Sequence, residues 1–181
     1  MTAEEHEAAS EQDLAAVRRQ LGRPARGVHA VGHRCGCGLP DVVTTEPRLP
    51  DGTPFPTTFY LTCPRVASLI GTLEGTGQMA GMQERLATDP DLAAAYAAAH
   101  ERYLAARAAI EAEVGEVPEI AGVSAGGMPS RVKCLHSLAA QSLAQGPGVN
   151  PLGDETLERL GQWWADGPCV GLEEPAGPAS G

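Results

Sequence analysis

The chain has 181 residues, enough for one domain that buries its own hydrophobic core. Its formal net charge of −10 argues against nucleic acid and anionic membranes as main partners. The acidic N-terminus has no apolar segment of a secretory signal, and no run of about 18 apolar residues could span a bilayer. We therefore expect a cytoplasmic protein.

The first expected elements along the chain are one helix and three strands. Ser10 followed by Asp13 resembles a capping box for a helix that reaches about Leu21. β-Branched and aromatic residues, separated by Gly, Pro and Asp, predict short strands at 27–33, 40–46 and 57–62. The strands are too close in sequence for parallel crossovers, so the sheet should be antiparallel.

Helices are expected to dominate the remainder. Pro64 can open a helix at 64–74, a second follows at 78–87, and Asp89 with Pro90 begins a long helix. Two more are predicted at 129–145, opened by Pro129, and at 154–164, capped by Asp154. The long helix carries one apolar stripe, formed by Leu92, Tyr96, Ala99, Tyr103, Ala106, Ile110 and Val114.

These patterns predict an α+β fold with a small antiparallel three-stranded sheet packed against about five helices. We expect a single globular domain at 11–165. An acidic disordered tail is predicted before it, at 1–10, and a Pro- and Gly-rich disordered tail after it, at 166–181.

The five cysteines argue for thiols, metal ligands or a nucleophile rather than for disulfides in a cytoplasmic protein. Cys35, Cys37, Cys63 and Cys134 come from three separate segments, and we predict that they converge on one tetrahedral zinc. An iron–sulfur cluster remains an alternative. A second alternative is that Cys63 and Cys134 bind no metal and are simply small buried hydrophobic residues.

Two histidines lie near these cysteines in the sequence. If the segment RVKCLH is helical, Cys134 and His136 lie about 200° apart around the helix axis, so His136 is predicted to lie outside the zinc site. His33 shares a strand face with Cys35 and is a possible substitute ligand.

The segment SAGGMPSRVK, residues 124–133, combines glycines, an expected helix start and two cations. Such a combination predicts an anion site, because free helix N–H groups and positive charge attract a phosphate-type ligand. The ligand would be a small anionic metabolite or, with weaker support, a nucleic-acid backbone. A flexible connection to an ordinary helix is the alternative. The expected anion-binding residues are Gly126, Gly127, Ser130, Arg131 and Lys133.

A cysteine-dependent enzyme is the second functional hypothesis. Its nucleophile would be Cys134 or Cys35, its base His100 or His136, and the glycine loop would hold an oxyanion. His100 also belongs to a polar strip with Tyr103 and Arg107, for which a satisfied core histidine is the simpler interpretation. A third hypothesis is an adaptor that binds division or envelope proteins through the arginines at 18, 19, 23 and 26.

Two long stretches, RCGCGLPDVVTTEPRLPDGTPFPTTFYLTCPR and GGMPSRVKCLHSLAAQSLAQGPGVNPLGDE, resemble a bacterial family catalogued as domain of unknown function five hundred and one. The resemblance extends from about residue 14 to residue 160. It implies a small cytosolic protein, common in actinobacteria, without an assigned activity. Genes of this family often lie near those of a septum-formation protein and an exopolyphosphatase-like enzyme, which is the basis of the adaptor hypothesis.

Overall fold

The computed structural model describes residues 6–172. Residues 1–5 and 173–181, which belong to the two expected tails, lie outside the described residues. Between them the chain forms three β-strands, six α-helices and one turn of 3-10 helix at Pro118–Ile120. The strands are β1 (Val28–Arg34), β2 (Pro40–Thr45) and β3 (Phe59–Leu61). The helices are α1 (Glu11–Leu21), α2 (Pro64–Gly75), α3 (Gln78–Thr88), α4 (Pro90–Val114), α5 (Leu135–Gln145) and α6 (Pro151–Glu158).

The sheet has the order β1-β2-β3 with antiparallel pairing throughout, which confirms the expected α+β class. Val43 of the central strand pairs with Val31 on one side and with Tyr60 on the other. Every residue of β2 is buried, so both faces of this strand are covered. Because side chains alternate along a strand, the two faces carry different residues.

The hydrophobic core lies between one face of the sheet and the helices, with α5 at its centre. Val42 and Phe59 point into this core, and the Phe59 ring meets Tyr103 of α4 edge to face at 5.2 Å between ring centroids. The Tyr103 hydroxyl accepts a hydrogen bond of 2.7 Å from the N–H of Thr58. The helix α4 is thereby tied to the sheet through its apolar stripe, although Val114 at the end of that stripe is exposed.

Local signals placed most helix starts correctly. Ser10 and Asp13 form the expected capping box, with bonds of 3.2 Å from the Asp13 N–H to Ser10 Oγ and 2.9 Å from the Ser10 N–H to Asp13 Oδ2. The Asp89 carboxylate accepts from the first N–H groups of α4. Such caps depend on residues two or three positions apart, which a sequence pattern can detect.

The boundaries of two helices differ from the prediction. The helix α5 begins at Leu135, not at Pro129, because the preceding loop makes its own hydrogen bonds. The helix α6 begins at Pro151 because the Asn150 side chain accepts from the Gly153 N–H at 3.0 Å, and it ends at Glu158, before the two tryptophans.

The described parts of the expected tails contact the domain. The carbonyl of Glu7 accepts from the Val31 N–H at 2.8 Å, and Nη1 of Arg65 donates to the Gly167 carbonyl at 2.6 Å. Cys169 packs against the core. Within residues 6–172 no helix combines the length and the apolar character that crossing a membrane requires.

Candidate metal centre

Three potential metal ligands meet where the last turn of α2 approaches the start of α5. The Cys134 Sγ lies 3.9 Å from Nδ1 of His136, and this Nδ1 lies 3.2 Å from Oε1 of Glu74. One ligand atom from each residue lies within 4.8 Å of the others. In the described part of the chain this is the only group of three or more His, Cys, Asp and Glu residues with that property.

The geometry of α2 orients the imidazole ring of His136. Ala67 and Glu74 are seven residues apart, almost two helical turns, so they lie on the same face of α2. The Nε2 of His136 lies 2.9 Å from the Ala67 carbonyl oxygen, which can only accept a hydrogen bond. Nε2 therefore carries a proton in both the neutral and the charged ring, and Nδ1 faces Glu74 and Cys134.

The prediction that His136 lies outside the site of Cys134 is wrong. It assumed that both residues are helical, but Cys134 is the N-cap of α5 and has an extended backbone with φ −155° and ψ 109°. The 100° step per residue does not apply before the helix begins. The two side chains can thus approach each other although they are only two residues apart.

The electrostatic environment favours the thiolate at Cys134. Burial alone would raise the pKa of this thiol, but the hydrogen bond with His136 and the N–H and hydroxyl of Ser137 outweigh burial and lower the pKa. The same interaction with Cys134 is the main reason why the pKa of His136 rises to about 9. A thiolate is the form of cysteine that binds metals and attacks electrophiles.

Within residues 6–172 none of the other cysteines joins a group of three or more potential metal ligands, so the structure does not bring together the four-cysteine set that we predicted. Cys35 and Cys37 interact within the turn after β1, and Cys63 interacts with Cys169 at the start of α2. Burial raises the pKa of Cys35 to about 11 and that of Cys63 to about 12. Protonated thiols of this kind are poor nucleophiles.

His33, the possible substitute ligand, is also engaged elsewhere. Its Nδ1 lies 2.7 Å from Oδ1 of the fully buried Asp41. Burial raises the pKa of the Asp41 carboxyl, and the interaction with His33 opposes this effect.

The structure gives no support to the predicted anion site at residues 124–133. The glycines do not leave an open cradle, since a Cβ on Gly126 would lie 2.6 Å from Leu138 Cδ2 and a Cβ on Gly127 would lie 2.6 Å from the Arg131 carbonyl oxygen. Ser130, Arg131 and Lys133 are exposed. The N–H groups at 131, 132, 133 and 135 donate to acceptors within the protein: Gly127 O, Gln83 Oε1, Gly126 O and Glu74 Oε1.

His100 and Arg107 of α4 lie in the core. They do not belong to the metal-ligand group, which consists of Glu74, Cys134 and His136. Nδ1 of His100 lies 2.8 Å from the Ser124 hydroxyl oxygen, and both side chains are buried. Arg107 is 3 % exposed, and its guanidinium donates to the carbonyls of Ile120, at 3.1 Å, and of Val123. These contacts agree with the simpler interpretation, in which His100 is a core histidine whose hydrogen bonds are satisfied within the protein.

Glu74 is the potential ligand that sequence reasoning missed. One weak signal was present, because an acidic residue in the last turn of a helix opposes the helix dipole and calls for a compensating partner. The partner is the N-terminus of α5, which lies 61 residues further along the chain at Leu135.

The fold and this site define a small α+β protein with a half-buried Cys-His-Glu group suited to a metal ion. The chain belongs to the family described as Protein of unknown function (DUF501), whose model matches residues 31–158. The match includes all three residues of the group and confirms the resemblance noted in the sequence. No curated protein and no solved structure matches the chain significantly.

Proposed function

We propose that this protein binds a zinc ion through Glu74, Cys134 and His136. The observation that carries the proposal is the arrangement of their three ligand atoms. In a tetrahedral zinc site the expected separations are about 3.3 Å between N and O and about 3.6 Å between S and N, from metal–ligand lengths of about 2.0–2.3 Å. The separations of 3.2 Å and 3.9 Å at His136 lie close to these values.

The surroundings of the group also suit a metal. A metal-bound histidine usually donates its other ring N–H to a carbonyl or carboxylate, as His136 does to Ala67. The Oε1 atom of Glu74 that lies near His136 also accepts from the Leu135 N–H, but a carboxylate oxygen has two lone pairs, so one remains for a metal. A thiolate, an imidazole and a carboxylate together form a donor set that zinc accepts readily.

Three protein ligands are typical of zinc sites that bind a water or a substrate, whereas structural sites have four. The side chains of His136 and Glu74 are 30 % and 24 % exposed, so a further ligand can reach the metal from solvent. When bound, zinc would polarise that ligand or lower the pKa of a bound water. The chain's own residues would hold the metal and orient the imidazole ring.

Metal analysis tests the proposal. We expect protein purified without a histidine tag to bind one equivalent of zinc, and Cys134→Ser to weaken binding at least about 100-fold, measured by calorimetry against a competing chelator. The matched control is Cys37→Ser, since Cys37 is a half-buried cysteine outside the group. Equal zinc affinity in wild type and Cys134→Ser would refute this site, and loss of zinc in Cys37→Ser would instead favour the four-cysteine set.

A second candidate function is a cysteine-dependent enzyme, favoured by the contact between Cys134 and a histidine that is oriented through Nε2. In this case Cys134 would be the nucleophile and His136 the base. Iodoacetamide at pH 7 should then modify Cys134 faster than the other four cysteines, and His136→Asn should slow this reaction. If the metal proposal holds, added zinc should protect Cys134 until a chelator removes it.

A further inference from the structure

The segment that follows α6 is held against the start of α2. The Arg65 guanidinium donates to two consecutive carbonyls of this segment, Gly167 at 2.6 Å and Pro168 at 3.2 Å. Arg65 belongs to the first turn of α2. These two hydrogen bonds therefore fix the backbone directly before Cys169 beside the N-terminal end of that helix.

The Cys169 thiol is positioned from a second direction by α1. Nε2 of Gln20 lies 3.3 Å from Cys169 Sγ and donates a hydrogen bond of 2.7 Å to the Pro40 carbonyl. The hydroxyl oxygen of Thr62 lies 3.5 Å from the same carbonyl oxygen. This chain of contacts leads from Cys169 to the residue next to Cys63.

Cys63 and Cys169 are neighbours in the folded protein although they lie far apart in the sequence. Cys63 is the N-cap of α2 and is 1 % exposed. It belongs to the hydrophobic core, and the half-buried Cys169 packs against that core. Burial is the main cause of the raised pKa of Cys63, and the nearby Cys169 thiol acts in the same direction.

Two neighbouring thiols can be joined by exchange with a small-molecule disulfide such as oxidised glutathione. The half-buried Cys169 is the thiol that such a molecule reaches. Its thiolate attacks one sulfur of the oxidant, the S–S bond of the oxidant breaks, and one glutathione leaves. Cys63 then loses its proton and attacks the Cys169 sulfur, which releases the second glutathione.

The exchange is balanced, because two protein thiols are oxidised and one oxidised glutathione is reduced to two thiols that take up the two protons. A largely protonated thiol attacks slowly, but a target held beside Cys63 compensates for this, since the second step is intramolecular.

We propose that Cys63 and Cys169 form a reversible disulfide when the protein meets an oxidising small-molecule disulfide. The bond anchors the segment after α6 to the start of α2. It involves none of the proposed zinc ligands and does not depend on a bound metal. The family model ends at residue 158, so Cys169 lies beyond the matched part of the chain. In a reducing compartment such a bond is transient and reports oxidation.

Peptide mapping by mass spectrometry tests the proposal on the full chain after exposure to about 1 mM oxidised glutathione at about pH 8. We expect the Cys63–Cys169 link to form first, and excess reduced glutathione to remove it. In about 6 M urea this preference should disappear, because an unfolded chain favours pairs close in sequence, such as Cys35 with Cys37. A Cys35–Cys37 link that forms first in the folded protein, a mixed disulfide that persists at Cys169, or no protein disulfide would overturn the proposal.

Variants test the anchoring. The disulfide closes a loop of roughly 100 residues, so oxidation should raise the Tm of wild type by about 5 °C or more. Cys169→Ser should abolish this rise, and Cys37→Ser, which changes another half-buried cysteine, should retain it. Circular dichroism confirms that each reduced variant is folded. An unchanged Tm in oxidised wild type, or an equal rise in Cys169→Ser, would show that this disulfide does not anchor the segment.

Discussion

The backbone N–H of Leu135 donates a hydrogen bond of 2.8 Å to Oε1 of Glu74, which joins the first residue of α5 to the last turn of α2. A carboxylate is unfavourable at the C-terminal end of its own helix but favourable at the N-terminus of another. Glu74 therefore satisfies a helix start internally, just after the segment 124–133 where the sequence had suggested an external anion.

This contact predicts different effects for two substitutions of Glu74. Glu74→Ala removes the acceptor of the Leu135 N–H and should lower the free energy of unfolding by about 1–2 kcal/mol. Glu74→Gln keeps an oxygen acceptor and should lose less than half of that. Urea denaturation in the presence of EDTA measures both changes. Glu84→Gln, at an exposed position of α3, is the control and should remain within about 0.5 kcal/mol of wild type.

The same two variants also test the metal centre. A neutral amide is a weaker zinc ligand than a carboxylate, so Glu74→Gln should reduce zinc affinity although it largely retains stability. Zinc affinity equal to that of wild type would show that Glu74 caps α5 without binding the metal.

The helices α5 and α6 approach each other closely at Gly153. A Cβ at this position would lie 2.2 Å from the Leu138 carbonyl oxygen and 2.4 Å from Ser142 Oγ. Gly153→Ala should therefore destabilise the protein by about 3 kcal/mol, although alanine is the better helix former. Gly81→Ala in α3, where a Cβ meets nothing within 4 Å, should stabilise it by about 0.5–1 kcal/mol. Similar unfolding free energies for both variants would contradict the close packing of α5 and α6.

Asp13 should make stability fall at acidic pH. Its side-chain hydrogen bond with Arg34 holds the pKa of this carboxyl well below its usual range, and Ser10 contributes in the same direction. A group with a lowered folded-state pKa stabilises the protein above its unfolded-state pKa of about 3.9 and loses this effect as the pH falls below that value. Wild type should thus lose stability steadily between about pH 5 and pH 2.

Asp13→Asn isolates this contribution. It should lower the free energy of unfolding by about 1–3 kcal/mol at pH 7, since it removes both a capping group and the partner of Arg34. Its stability should then fall less steeply than that of wild type between pH 5 and pH 3 in urea denaturation series. Parallel pH profiles of the two proteins would show that Asp13 does not carry this pH dependence.

Arg107 should matter for stability more than for function. Its buried guanidinium also donates to the Pro56 carbonyl and to Thr58 Oγ1, and so connects α4 to two loops. Arg107→Met leaves these acceptors without a donor and should cost about 3 kcal/mol, and Arg107→Lys should recover only part of the loss. Arg102→Met, at an exposed position of the same helix, should stay within about 0.5 kcal/mol of wild type in thermal and urea denaturation. A similarly small change in Arg107→Met would contradict this role.

Much of the secondary structure was predictable from short-range patterns. These patterns act through neighbouring residues. They are the capping box at Ser10, the proline at the first position of α2 and of α4, and the three β-branched or aromatic segments. The start of α5 was not predictable in this way. Its boundary depends on loop hydrogen bonds to Gln83 and Glu74, which come from other helices.

The candidate site shows the same division. Sequence alone determined the α+β class and the family that contains the chain, and it singled out Cys134 as a potential metal ligand but predicted that His136 lies outside the zinc site. Only the tertiary structure decided that Glu74 completes the group and that Cys35, Cys37 and Cys63 do not join it. The physical reason is distance along the chain: caps and turns act over a few residues, whereas a site joining α2 to α5 depends on how the whole core packs.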